Sequence, residues 1–429
     1  MNDYSNIFID KRILIYGLGK SGTSALKFLK KKNKITLFDD NKKITLKNKI
    51  IKSKFDLILL SPGINKNKCK LKNFLKRNSK IIYTDLDVFK SFYNNECITI
   101  TGTNGKSTTC QLLYEVLKKQ GYDVKLAGNI GYPILSIKNI KPKSIFVIEA
   151  SSYQLQYSKI FRSKYSAILN ISPDHLERHK TLKEYVKVKF KLIKNQLTNS
   201  IAFVNKYDVN VNKFLKKNSF KSKIIKVNTK LDKKYLLNFK NNYFLSASNK
   251  ENLLFVLEII KRFKINKKLL IETISNFKGL RYRQQIIYNK KDIKIINDSK
   301  STSFSSSKNL LQSYKNIYWL VGGKFKKGDK FILDKKYYKN IKVYIYGSKI
   351  NPFKKQFKNK VKYKVLYNIK KALIKIVEDS KNDNSKKIII LFSPAAASFD
   401  HFRNFEERGK YFNNQIKILK FIKKINDRK

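Results

Sequence analysis

Short apolar runs rich in Ile, Val and Leu recur along this chain, each stopped by Gly, Ser, Pro or Asn and followed by a stretch with helical spacing. Arg12–Gly17 predicts a buried strand, Thr23–Lys32 a helix, Lys34–Phe38 a second strand and Phe55–Leu60 a third. The rhythm resumes at Ile98–Thr101, where Ile and Thr alternate, with a helix over Thr108–Gln120. Strands at Ser144–Ile148, Ser166–Ile171 and Ile201–Val204 follow, with helices at Leu182–Gln196, Asn249–Phe263 and Lys267–Phe277. Asn205–Asn242 reads as a polar, lysine-rich insertion. A last set of strands covers Ile293–Asn297, Ile317–Val321, Val343–Tyr346 and Ile388–Phe392, with helices near Ser305–Ser313, Ile369–Asp379 and Phe402–Phe412. Strands alternating with helices argue for parallel sheets covered on both faces, hence an α/β protein. Breaks near Tyr93 and Gly279 set the expected domains at 1–93, 94–279 and 280–429.

At 429 residues the chain exceeds one ordinary domain, and 42% hydrophobic residues suffice for packed cores. No apolar run approaches the length of a membrane span. Met1–Arg12 carries Asp3 and Asp10 and no apolar stretch, so a cytoplasmic protein without a secretory signal is expected. Cys69, Cys97 and Cys110 match neither a zinc site nor a disulfide framework. A net charge of +65 invites a nucleic-acid reading, but only ten of the 95 basic residues are arginine and the lysines are spread through every segment. Asn, Ile, Tyr and Phe are abundant too, so the bias reads as a drift toward A/T-rich codons, and no specific nucleic-acid partner is expected.

Candidate chemistry gathers at the strand ends. The Ile98–Thr101 strand runs into Gly102-Thr103-Asn104-Gly105-Lys106-Ser107-Thr108. Glycines there bring backbone N–H groups up to phosphate oxygens, and a helix N-terminus adds its dipole. Lys106 is expected on the β- and γ-phosphates of a triphosphate and Ser107 on Mg²⁺. The longer pattern wants a glycine where Ile100 stands, so the flanking strand and helix carry the assignment. Glu149, at the tip of the next strand, is where Mg²⁺ would want a carboxylate. Gly17-Leu-Gly-Lys-Ser-Gly22 is a literal G-x-G-x-x-G, with Asp39 and Asp40 about twenty residues on. That fingerprint reports a pyrophosphate close to the backbone, and UDP carries one as NAD does, so a dehydrogenase stays open at this point. His175 and His179 stand at i and i+4, but no third zinc ligand accompanies them. His175 therefore reads as lying beside Mg²⁺ and His179 as a surface residue.

With these residues in view the chain resembles the Mur ligase family along nearly its whole length. The shared marks are Gly102–Thr108, Gly128-Asn-Ile-Gly131, Glu149 with Ser151-Ser-Tyr-Gln-Leu155, Asn170 with Asp174-His175, Asn297-Asp-Ser-Lys300 with Thr302, Ser393-Pro-Ala-Ala-Ala-Ser398 and Asn404-Phe-Glu-Glu-Arg-Gly409. The resemblance implies three domains: an N-terminal Rossmann-like one, a central P-loop ATPase-like parallel sheet and a C-terminal Rossmann-like one. It implies an ATP-dependent amide ligase that adds D-glutamate to UDP-N-acetylmuramoyl-L-alanine (UDP-MurNAc-L-Ala) through an acyl phosphate. A monomer is implied, with neither membrane nor nucleic-acid partner.

Residue by residue, the resemblance places ATP between the central and C-terminal domains, on Gly102–Thr108, Asn252, Arg283 and Asp298. It places the UDP-substrate on Ser21, Asp39, Asp40, Gly63 and Asn129, and D-glutamate on Thr302, Lys326, Ser398 and Phe405. Lys324 and Lys327 are alternatives to Lys326. Two Mg²⁺ would be held by Ser107, Glu149 and His175, with a carbamylated lysine bridging them. The match puts that lysine at Lys189, and a slipped match at Lys187 or Lys191. Lys106, His175 and Lys189 form the implied catalytic set. Asn41, Arg281 and Tyr282 depart from the family's usual residues, at the uracil end and before the ATP-site arginine.

Overall fold

The computed structural model describes residues 6–42, 44–230, 239–290, 292–326, 328–381, 383 and 387–421. Within them sixteen strands form three sheets. The first contains β1 (Arg12–Tyr16), β2 (Lys34–Phe38), β3 (Leu57–Leu60) and β4 (Ile82–Tyr83), in the order β2-β1-β3-β4 and parallel throughout. The second contains β5 (Cys97–Thr101), β6 (Val124–Gly128), β7 (Ile145–Glu149), β8 (Tyr165–Ile168), β9 (Ile201–Asn205) and β10 (Lys223–Val227). Its order is β10-β9-β8-β5-β7-β6, again parallel. The third contains β11 (Gln285–Lys290), β12 (Ile293–Asn297), β13 (Ile317–Gly322), β14 (Ile341–Tyr346), β15 (Lys362–Leu366) and β16 (Ile388–Phe392). Its order is β11-β12-β16-β13-β14-β15, with only the β11–β12 pair antiparallel.

The interior strands β3, β5, β7, β8, β13 and β16 are buried at every position, as parallel strands covered on both faces should be. The five strands beyond those expected from sequence, β4, β6, β10, β11 and β15, are all sheet edges. β4 is only two residues long, and the other four carry lysine within or at an end, as edge strands do to block further pairing; that lysine conceals the apolar signal. The stretch expected as a polar insertion thus holds an edge strand, β10, and the helix Val209–Leu215. The last helix begins at Phe405 and runs to Ile418, later than the expected Phe402–Phe412. The helices Lys20–Leu29 and Lys106–Lys119 start earlier than expected, directly on the glycine turns. Among the described residues no helix is long and apolar enough to cross a membrane.

The chain forms two compact units: Met1–Lys240 with Glu251–Ser275, and Asn241–Lys250 with Asn276–Lys429. The first unit holds the first two sheets, which share one apolar core: Ile13, Leu59 and Phe89 pack in the same cluster as Phe146, Ile148 and Leu155. Asp87, fully buried, fastens them. One of its oxygens accepts the Ser158 hydroxyl and the backbone N–H groups of Lys159, Ile160 and Phe161 at 2.9–3.1 Å. The other accepts the N–H and hydroxyl of Thr84. Removing this carboxylate would strand several buried donors, each costly to leave unpaired. Asp87→Ala is therefore expected to destabilise the protein by about 3 kcal/mol in urea unfolding; a change under about 1 kcal/mol would show that the clamp is dispensable.

Candidate active site

Ligands of open α/β sheets collect at the carboxyl ends of the strands, and the candidate residues of all three sheets lie there. At the end of β5 the chain turns through Gly102 and Gly105, the latter at φ +85°. A Cβ on Gly105 would sit 2.1 Å from Asn252 Oδ1, so both the conformation and the close approach require glycine. The turn is fastened to the end of β8: Thr103 N–H donates to Asn170 O at 2.8 Å and Asn104 N–H to Asn170 Oδ1 at 2.8 Å. Lys106 folds its ammonium back onto the turn, at 2.9 Å from both Gly102 O and Thr103 O. Thr108, two residues further along the helix, is buried.

Around that turn three elements converge. The Ser107 hydroxyl donates to Glu149 Oε2, and Asn129 Nδ2 donates to Glu149 Oε1 at 2.8 Å. Glu149 is buried, not solvent-facing. Lys189 is buried on the helix Leu182–Lys194, its ammonium 2.7 Å from Gly102 O and 4.6 Å from the Tyr185 ring centroid. Burial pushes the Lys189 ammonium well below the usual lysine range; Lys106 pushes the same way, while Asp174 and Glu149 oppose. Lys187 is exposed, and Lys191 donates to Gln156 O and Ser158 O at 2.9 and 2.8 Å, so Lys189 alone of the three reaches the turn.

His175 has the left-handed backbone rare for a residue other than glycine, φ +54°. Its Nδ1 lies 2.8 Å from Tyr153 Oη and its Nε2 lies 3.4 Å from Asp174. His179, expected at the surface, is instead buried between the Tyr153 and Tyr185 rings, with Nε2 3.0 Å from Ser152 Oγ. Burial and Arg178 lower its pKa to about 4, which makes it a neutral packing residue.

No group of three or more His, Cys, Asp or Glu side chains that could hold a metal occurs among the described residues. Ser107 and Glu149 nevertheless fit Mg²⁺, which takes one or two carboxylates and fills its remaining positions with water and phosphate oxygens.

In the first sheet, Ser21, Asp39 and Gly63 line a cavity of about 310 Å³ that Asn129, Ser151 and Gln154 of the second sheet close from the other side. Both Asp39 oxygens accept turn N–H groups, from Leu18 at 2.7 Å and Asn41 at 3.0 Å, and the Leu18 bond holds its carboxyl below the usual range. This carboxylate shapes the G-x-G-x-x-G turn. Asp40 does not line the cavity; its Oδ1 accepts Tyr16 Oη at 2.6 Å and its backbone O accepts Lys70 Nζ at 2.6 Å. Arg178, which sequence reasoning passed over, is buried and donates to Pro62 O at 2.7 Å, Ile64 O at 3.0 Å and Gln156 Oε1 at 2.8 Å while stacking on Tyr153. It ties the cavity wall to the tyrosine that holds His175. Only its place in the Asp174–His179 run hinted at this.

In the second unit Asp298 follows β12, accepts Gln284 N–H at 3.0 Å and the Ser393 hydroxyl at 2.9 Å, and is pushed up to about 7 by burial. Arg283 and Lys300 lie over the Phe405 ring at 5.8 and 4.1 Å. Buried Arg408 holds this turn from below, through Ser299 O at 2.6 Å and Ser299 Oγ at 3.1 Å. Ser398 is buried, Lys326 half-buried and Thr302 exposed at the carboxyl ends of β16, β13 and β12. Lys324 is exposed, with its backbone paired to Ala397, and Lys327 lies outside the described residues.

Comparisons with known proteins bear on the family and the fold. Residues 100–271 match the Mur ligase middle domain. UDP-N-acetylmuramoylalanine–D-glutamate ligases are similar along nearly their whole length: that of Rickettsia felis is 32% identical over 95% of this chain and 97% of its own, and that of Buchnera aphidicola (subsp. Schizaphis graminum) 34% over 97% and 99%. Among solved structures, the MurF ligase of Thermotoga maritima in complex with ADP superposes with a TM-score of 0.59 over 99% of this chain and 100% of that one, at 14% identity. The MurC ligase of the same organism gives 0.56 over 95% and 100%, at 15% identity. Those two show a shared fold, and the full-length relatives establish that the chain belongs to the Mur ligase family.

Proposed function

We propose that this protein adds D-glutamate to UDP-MurNAc-L-Ala at the expense of ATP, an amide ligation of cytoplasmic peptidoglycan-precursor synthesis that yields ADP and phosphate. The observation that carries the reading is the meeting of Lys106, Ser107, Glu149 and Lys189 at the end of β5, in a chain whose full-length relatives bear that ligase name.

In this reading the terminal carboxylate of the L-alanyl group attacks the γ-phosphorus, the bond to the bridging oxygen breaks, and ADP leaves. The N–H groups of Gly102–Thr108 and the Lys106 ammonium lie where negative charge spreads over the transferring group. Mg²⁺, when bound through Ser107, Glu149 and His175, offsets more of that charge. The D-glutamate amine then attacks the acyl phosphate carbonyl, and phosphate leaves from the tetrahedral adduct. Tyr153 orients His175, whose role here is positional.

A second Mg²⁺ and a carbamate on Lys189 belong to the same proposal. A carbamate forms from a neutral amine and CO₂, and burial favours the neutral amine at Lys189. Asn252, Arg283 and Asp298 are the further nucleotide contacts proposed; Ser21, Asp39, Asp40, Gly63 and Asn129 those to the UDP-substrate; and Thr302, Lys326, Ser398 and Phe405 those to D-glutamate. The proposed domains are 1–93, 94–279 and 280–429, acting within a monomer. The test is phosphate release by the purified protein with ATP, Mg²⁺ and UDP-MurNAc-L-Ala across a panel of D- and L-amino acids. Release dependent on D-glutamate is expected. Release with a folate in place of the UDP-substrate, or none with D-glutamate, would refute the reading.

A further inference from the structure

The chain contains the tripeptide Gly-Lys-Ser at two helix starts, Gly19-Lys20-Ser21 and Gly105-Lys106-Ser107; Gly19 is extended and Gly105 left-handed, but the two lysines take equivalent places. Each lysine opens a helix that follows the first strand of its sheet, with glycine at the N-cap and no acid in the first turn. Each serine stands by a buried carboxylate: Ser107 donates to Glu149 at the end of β7, and Ser21 lines a small cavity with Asp85, the first residue of the helix Asp85–Phe92. A lysine at a helix N-terminus stands against the macrodipole, so nothing in the helix itself favours a cation there.

The surroundings of Lys20 say what would. Among the described residues it is the one cation lining the 310 Å³ cavity, and the one carboxylate there, Asp39, already accepts two backbone N–H groups. Lys20 is exposed, and its side chain makes no hydrogen bond or ion pair among the described residues. A cavity with amides, hydroxyls and one uncompensated ammonium suits an anion with several oxygens.

We propose that Lys20 binds the diphosphate of the UDP-substrate, doing in the first sheet what Lys106 does in the second. This rests on the function proposed above and adds a binding residue to it. Lys20 grips the phosphates of the uridine end only, so it acts on substrate affinity and not on phosphoryl transfer.

The test is steady-state kinetics of Lys20→Ala and Lys20→Arg, with UDP, UMP and uridine as competitive inhibitors. Lys20→Ala is expected to raise KM for UDP-MurNAc-L-Ala and the inhibition constant of UDP about tenfold, equivalent to ~1.4 kcal/mol. UMP should weaken less and uridine not at all; KM for ATP should hold, and Lys20→Arg should restore most of the affinity. An unchanged KM in an active Lys20→Ala protein would overturn the inference alone, as would equal weakening of UDP and uridine. A parent protein that neither turns over the UDP-substrate nor is inhibited by UDP would overturn the proposed function with it.

Discussion

Lys106→Ala is expected to lower kcat for D-glutamate-dependent phosphate release about a thousandfold, the scale on which one charge-stabilising group acts in phosphoryl transfer. Its ammonium is held over the turn by Gly102 O and Thr103 O, where the β- and γ-phosphates would lie, and bound nucleotide would draw it off these carbonyls. Since the side chain opens a helix, where a cation is unfavourable, its loss should leave the unfolding temperature unchanged or slightly higher. A fold defect would lower both quantities together. Lys106→Arg should recover little, because a planar fork does not replace a point charge in a tight turn. A loss below tenfold would remove the turn from the chemistry.

Lys189→Ala is expected to be as severely impaired, for a different reason. The wild-type amine is enclosed among Gly102 O, the Tyr185 ring, Lys106, Asp174 and Glu149. Conversion to a carbamate would replace a buried neutral amine beside Lys106 with an anion able to ligate metal and to attract the Lys106 ammonium. Small carboxylates added to Lys189→Ala should restore part of the rate by occupying the vacated space. ¹³C NMR in ¹³C-bicarbonate should show a carbamate resonance in the parent and none in the variant. Full activity of the variant would move the role elsewhere.

What could be read from the sequence followed from how local the signal is. The turn at Gly102–Ser107 and the carboxylate at Glu149 are each fixed by a strand end, and a strand end is marked by a few adjacent residues. Choosing Lys189 over its neighbours needed the register of a helix against a distant loop, which spacing alone does not supply. His179 is buried by Tyr153, distant in sequence, and by Tyr185, which only the fold of the next helix brings over it, so its surroundings leave no local mark. Arg178 and Asp87 act through backbone carbonyls and amides of other segments, and such partners leave no residue-type signature. The edge strands β10 and β15 were hidden by the lysines that protect their open side.

The central claim is that the turn at Gly102–Ser107 hands the terminal phosphoryl group of ATP to the carboxylate of the UDP-substrate. The most direct measurement uses UDP-MurNAc-L-Ala labelled with ¹⁸O in that carboxylate, followed by mass analysis of the phosphate released on D-glutamate addition. One labelled oxygen in each phosphate is the predicted result. Phosphate free of label would mean that no acyl phosphate forms, and would contradict the account.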